Sequence, residues 1–106
     1  MSASDFELSR EDGVYRLRGR LGAEAATGLW ERRAELLKGS GTLILDLGEL
    51  KQCDSAGLAL LVNLLGETRR LTRELRLVRV PAQLLDLARV SGVDEILPLD
   101  TTPESV

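Results

Sequence analysis

The sequence predicts an α/β fold: one mixed β-sheet with parallel core strands, flanked by helices, in the order β-β-α-β-α-β-α-β. Three observations carry that reading. Short apolar or alternating runs are separated by segments of helical period, and strands that alternate with helices imply parallel neighbours with right-handed crossovers. One continuous apolar run, "TLILDL" (42–47), has the character of a strand buried on both faces of a sheet. The chain has 106 residues, enough for one core and too few for two. Residues 1–106 are therefore expected to form a single domain, with its core at about 5–99 and a frayed tail at 100–106.

Taken in order, "DFELSRED" and "GVYRLRGRL" read as two short strands turning at Glu11-Asp12-Gly13. In the second, Val14, Arg16, Arg18 and Arg20 alternate with Tyr15, Leu17, Gly19 and Leu21, the period of a half-covered strand. Residues 22–38 are expected to be helical, with a stop at Gly39-Ser40-Gly41. The apolar strand at 42–47 is followed by a helix over 55–73 and by another strand, "LRLVRV" (75–80). Pro81 suits the first turn of a further helix, which stops at Gly92. "VDEILPL" supplies a last short segment.

The helix over 55–73 carries two apolar stripes, Leu58, Leu61, Val62 and Leu65 beside Leu60, Leu64 and Leu71. Only Ala59, Asn63, Glu67, Arg70 and Glu74 trace a polar strip. So wide an arc exceeds what one sheet face requires. Contact with a second helix and a surface for a partner both account for it.

Composition narrows the chemistry. A net charge of −3 gives no basic surplus for nucleic acid. Arg69, Arg70, Arg73, Arg76 and Arg79 gather late, but Glu67 and Glu74 interrupt them, so a solvated helix face is expected. There is no histidine, and the one cysteine, Cys53, has no thiol or imidazole neighbour in sequence. Zinc and most transition-metal sites lose their usual ligands, so no metal is expected. Histidine-dependent acyl transfer is excluded, and neither G-x-G-x-x-G nor G-x-x-x-x-G-K-S/T occurs. No cofactor and no enzymatic activity are expected. The opening residues lack the basic start and apolar stretch of a signal peptide, and no apolar run is long enough to span a membrane. The cytoplasm is the expected compartment.

One stretch stands apart: "LILDLGELKQCDSAGLALLVNLL" (43–65). Asp54 or Ser55 can cap the helix that follows, since short oxygen-bearing side chains accept from its first N–H groups. Gly57 in the first turn costs about 1 kcal/mol relative to alanine, which calls for a reason. Ala56 and Gly57 leave the helix start bare for close approach by another backbone. The Ser55 hydroxyl also sits where a phosphate would be stabilised by the helix N–H groups. Cys53, just before, reads as a small core filler.

That stretch, in its setting of strands and helices, resembles the STAS domain family: a strand, D-L, several residues, D-S/T-x-G, then a leucine-rich helix. The resemblance spans about residues 5–99. It implies a non-catalytic interaction module. In the anti-sigma factor antagonists of the family a partner kinase phosphorylates the hydroxyl residue matched by Ser55, a possible phospho-acceptor here. Those proteins often carry a second serine where this chain has Ala56. "GLWERRAELLKG" together with "DSAGLALLVNLL" is similar to the MlaB-like branch. That likeness implies a cytoplasmic subunit, peripheral to the inner membrane of Gram-negative bacteria. Its partner would be the ATPase (MlaF-like) of a phospholipid-transport ABC complex, beside permease (MlaE-like) and substrate-binding (MlaD-like) subunits. Trp30, Asp54, Ser55, Ala56 and Gly57 are the partner-binding residues it implies. For Trp30 the residues alone also allow a core position, with Leu29, Arg33 and Leu37 around it.

Overall fold

Two residues with left-handed dihedrals, Asp12 (φ 54°) and Gly13 (φ 78°), turn the chain between β1 (Phe6–Glu11) and β2 (Val14–Leu21). Paired positive φ values make the hairpin turn whose twist suits antiparallel strands. The ladder runs from Phe6↔Gly19 to Glu11↔Val14. In this computed structural model residues 6–99 are described, and the expected tail at 100–106 lies outside them. The order continues with α1 (Ala23–Glu31), α2 (Arg33–Leu36), β3 (Thr42–Cys53), α3 (Ser55–Arg70), β4 (Glu74–Val78) and α4 (Ala82–Val90). Strands lie in the order β1-β2-β3-β4, with β2–β3 and β3–β4 parallel, so the sheet is mixed as expected. Among the described residues the final strand is one parallel bridge, Leu77↔Leu99: the segment before it turns, with the Ile96 and Leu97 N–H groups bonding the Val93 carbonyl, and Pro98 has no N–H to extend a ladder.

Leucines decide which face of the sheet is covered. Leu17 and Leu21 of β2, Leu43, Leu45 and Leu47 of β3, and Leu75 and Leu77 of β4 join one core with α1, α3 and α4. α3 touches α1, α4, β3 and β4. Its leucines 58, 60, 61, 64 and 65 are all buried, so packing within the chain takes up most of the wide apolar arc. The other face is open. Arg18, Arg20, Gly48 and Arg76 are exposed there and Ile44 is half-buried, so β3 is not covered on both faces as its apolar run suggested.

β3 also runs six residues past Leu47, beyond the segment that reads as a strand. The pairing with β2 explains both facts. Arg16 faces Asp46 but Arg18 faces Glu49, and Gly19 faces Leu50 but Arg20 faces Gln52. Each step inserts one extra β3 residue, a bulge. Buried positions therefore fall at Leu43, Leu45, Leu47, Leu50 and Cys53, and the period of two lengthens to three.

Helix ends differ from expectation for local reasons. The helix foreseen over 22–38 breaks at Arg32 (φ −99°, ψ 13°). There the Trp30 carbonyl accepts from the Arg33 guanidinium (2.8 Å), an intrusion into the helical ladder. α3 stops at Arg70 because Thr72 (φ 58°) is left-handed and the Arg73 N–H reaches back to the Thr68 carbonyl at 2.7 Å. The late arginines consequently do not share a helix face. Arg70 pairs with Glu67 on α3, Arg73 bonds the Leu37 and Gly41 carbonyls, Arg76 lies on β4, and Arg79 follows it.

Among the described residues Asp46 is the one buried carboxylate. Arg79 grips it bidentately (2.9 and 3.0 Å), the Gly48 N–H donates to it at 2.9 Å, and Arg16 lies 3.4 Å away. Burial alone would raise its pKa. The bonds from Arg79 and Gly48 and the charges of Arg79 and Arg16 outweigh that and hold it below the ordinary value. A depressed folded-state pKa contributes stability above the unfolded pKa of about 4 and loses it as pH falls through the folded value. Asp46→Asn should therefore lower the unfolding free energy at pH 7 by about 2 kcal/mol, the scale of bonds to a charged group. The gap from the wild type should narrow in acid, as pH falls through the depressed folded-state value and the wild-type carboxylate protonates as well. Urea titrations at pH 7 and through the acid range check this, and a gap that does not narrow in acid would refute it.

Candidate functional site

Because β2 and β3 are parallel and end together at Leu21↔Cys53, the helices that follow them start at one edge of the sheet. α1 begins after Gly22 and α3 after Asp54. Asp54, not Ser55, is the cap. Its Oδ1 accepts from the N–H groups of Ala56 (2.9 Å) and Gly57 (3.1 Å), while its own N–H points to the Leu21 carbonyl (3.4 Å). A methyl group on Gly22 would lie 3.3 Å from Asp54 Oδ2, so the two helix starts adjoin. With the capping role taken, the Ser55 hydroxyl is exposed and has no hydrogen bond among the described residues. Ala56 is half-buried beside it.

Gly57 has a different role from the one its sequence context suggested. The backbone that approaches it is this chain's own: a methyl group there would overlap the Leu21 carbonyl oxygen and stand 2.8 Å from Cys53 Sγ. Gly57 is buried, so it shapes the edge from within and does not form part of the surface. Cys53 is buried too, and burial together with the charge of Asp54 pushes its thiol pKa up to about 12, keeping it an unreactive thiol.

The edge has a clamp that the sequence did not reveal. Gln83 of α4 accepts from the Cys53 N–H (3.0 Å) and donates to the Cys53 carbonyl (2.8 Å), standing in for a neighbouring strand beyond the end of β4. No periodic or motif signal marks such a glutamine; only the register of β3 makes it necessary. Past the turn, α3 presents Ser55, Ala59, Asn63 and Gly66 to solvent, an uncharged strip of small side chains.

Trp30 is half-buried, neither fully enclosed nor free. Arg33 stacks on its ring at 4.3 Å. It sits seven residues beyond the first residue of α1, about 10 Å along the helix at 1.5 Å per residue. The turn residues 54–57 are thus brought together, and Trp30 lies two helical turns away from them along α1.

With this architecture in view, comparison with known proteins is informative. A family profile described as "Mlab, STAS domain" matches residues 4–98. The chain belongs to the STAS domain family. Among curated relatives, the intermembrane phospholipid transport system binding protein MlaB of Haemophilus influenzae is 35% identical over 95 residues, covering 86% of this chain and 90% of the relative. Solved structures share the fold at lower identity. The unphosphorylated anti-sigma factor antagonist SpoIIAA superposes with a TM-score of 0.70 at 21% identity, covering 94% of this chain and 91% of its own. An anti-sigma factor antagonist from Mycobacterium paratuberculosis gives 0.73 at 22% identity, covering 99% and 94%. The STAS motif "DSAG" is the capped turn at the edge of the sheet.

The close approach at Gly57 is testable within the STAS fold. Gly57→Ala would gain about 1 kcal/mol of helix propensity but must push apart backbone and core atoms, and overpacking of that kind costs about 1–3 kcal/mol. Because the opposing Leu21 atom is backbone, a net loss near the upper end, about 2 kcal/mol, is expected in chemical denaturation. A neutral or stabilised variant would refute the packing role.

Proposed function

We propose that this chain is the STAS subunit of an ABC-type phospholipid transport complex, of the MlaB kind, and acts by docking on the complex's ATPase subunit (MlaF-like). The observation that carries this reading is the 35% identity with MlaB along 86% of the chain. In that setting the permease (MlaE-like) and substrate-binding (MlaD-like) subunits would complete an assembly that maintains outer-membrane lipid asymmetry. The domain would then be cytoplasmic and peripheral to the inner membrane. Among the described residues no helix is long and apolar enough to cross a membrane, so attachment would come through the partner.

The chemistry of the turn supports docking over catalysis. Ser55 has no histidine to act as its base, and Oδ1 of its neighbour Asp54 is committed to two backbone N–H groups. One exposed strip of α3 (Ser55, Ala59, Asn63, Gly66) carries no charge and little bulk, so a partner helix or loop could approach closely along it without burying an unpaired ion. Trp30, with its ring partly open, is of the residue type that most often anchors such contacts. Such a subunit needs no active site. It need only bind one state of the ATPase more tightly than another.

The test is affinity capture from native membranes with this chain as bait. Recovery of an ABC ATPase supports the reading. Recovery of a soluble serine kinase instead would favour the anti-sigma factor antagonist alternative, in which Ser55 is the phosphorylated residue.

A substitution at the turn gives a sharper prediction. Ser55→Asp should leave the melting temperature nearly unchanged, since an anion at a helix start gains about 0.3–1 kcal/mol from the dipole. It should weaken ATPase binding at least about tenfold, because a fixed charge would be desolvated in the contact. Trp30→Ala should likewise cost binding more than stability. Calorimetric titration against the purified ATPase measures both, and unaltered affinity for the two variants would defeat the assigned surface.

A further inference from the structure

At the end of the sheet away from Ser55, where β3 begins, a cleft of about 590 Å³ opens between the β1–β2 hairpin, the end of α2 and the turn after α3. Three cations line it: Arg10, Lys38 and Arg73. In a chain of net charge −3 this is a local reversal of sign. None of the three is paired with a carboxylate among the described residues, whereas Arg16, Arg18, Arg32, Arg70, Arg79 and Arg89 all are. The one carboxylate in the lining, Glu35, is engaged by Arg32 at 3.3 Å. Arg10 is braced over the Tyr15 ring at 5.6 Å, and Arg73 is fixed by the Leu37 and Gly41 carbonyls at 3.0 and 2.9 Å. Two of the cations are therefore held in place before any ligand arrives.

The floor adds donors. Gly39 (φ 97°) and Ser40 line the cleft, and among the described residues their backbone N–H groups meet no protein acceptor. Left-handed glycine in such a loop leaves successive N–H groups available to an anion. Guanidinium, ammonium and backbone N–H groups together make the donor set that recognises phosphoryl oxygens.

We propose that this cleft binds a phosphate monoester group, carried by a small soluble molecule or by a lipid headgroup. It is independent of the ATPase-docking surface, which lies at the other end of β3, and its test does not involve the ATPase.

The experiment titrates the ¹⁵N-labelled chain with inorganic phosphate and with glycerol 3-phosphate at matched ionic strength, following amide shifts. In parallel, the chain is sedimented with phosphatidylcholine vesicles that contain or lack phosphatidic acid. Saturable shifts at Gly39 and Ser40 with the soluble probes, weakened about tenfold in the Arg10→Gln, Lys38→Gln double variant, are the result expected for a soluble ligand. Sedimentation only with phosphatidic acid, lost in the same variant, would identify the lipid source and equally support the site. Both residues are exposed, so the variant should melt as the wild type does. Absence of binding in both arms, or binding that the double variant retains in full, overturns the proposal.

Discussion

The carboxylate of Asp46 is the constraint on which the geometry of the edge depends. It lies at the middle of the central strand and joins three elements: Arg16 on β2, the Gly48 N–H within the first bulge, and Arg79 just after β4. A bulge displaces the register by one residue, and without a fixed partner a flat strand can slip. Asp46 fixes this one, because its bond to Gly48 spans the inserted residue while its bonds to the arginines fix the strands on either side. Arg79 itself has a left-handed backbone (φ 54°), an unfavourable conformation for a side-chain-bearing residue. Its bidentate grip on Asp46 offsets that strain. Its guanidinium also fills the space over Gly48, where any added carbon would collide with it.

From that point the consequences run up the strand. The two bulges bring Leu47, Leu50 and Cys53 to the covered face in steps of three. Cys53 therefore arrives beside Leu21, Asp54 can cap α3, and Gly57 meets the Leu21 carbonyl. The open face is ordered by the same register. Glu7, Arg18 and Glu49 form one row of alternating sign across β1, β2 and β3, and Glu11, Arg16, Asp46 and Arg79 form another. Exposed pairs of this kind contribute little stability individually. Their alternation means that like charges do not face each other across the sheet, and a slipped register would lose the pairing.

Much of this was legible in the sequence, and the exceptions have identifiable causes. Strand alternation in β2, the hairpin at Asp12-Gly13, the helix stop at Gly92 and the capped turn at 54 were all readable, because each depends on contacts a few residues apart. What escaped depends on partners distant in sequence. The second half of β3 has no period of two, since its bulges answer to β2. The end of α3 hides in Thr72, a residue type that seldom adopts the left-handed conformation. The break at Arg32 comes from a side chain competing for the Trp30 carbonyl. Gly57 was recognised as unusual, but its sequence could not say whether the approaching backbone belonged to a partner or to this chain. A buried aspartate in "TLILDL" was the unused signal: a carboxylate among leucines needs a cation, and Arg79 supplies it.

The same accounting separates what is fixed at the edge from what is left free. Asp54 is spent on capping, Gly57 on packing, Cys53 on the core and on Gln83. Each of these contacts is made within this chain. Ser55 is the exception, an exposed hydroxyl at the positive end of α3 with its hydrogen-bonding capacity unused among the described residues. An edge braced by these contacts that leaves a small polar group exposed would suit sensing, because a contact or an added charge there falls directly on the start of α3. On the proposed docking role, that fixed shape is what the edge would offer a partner, since its fit to one conformation of the partner can differ from its fit to another.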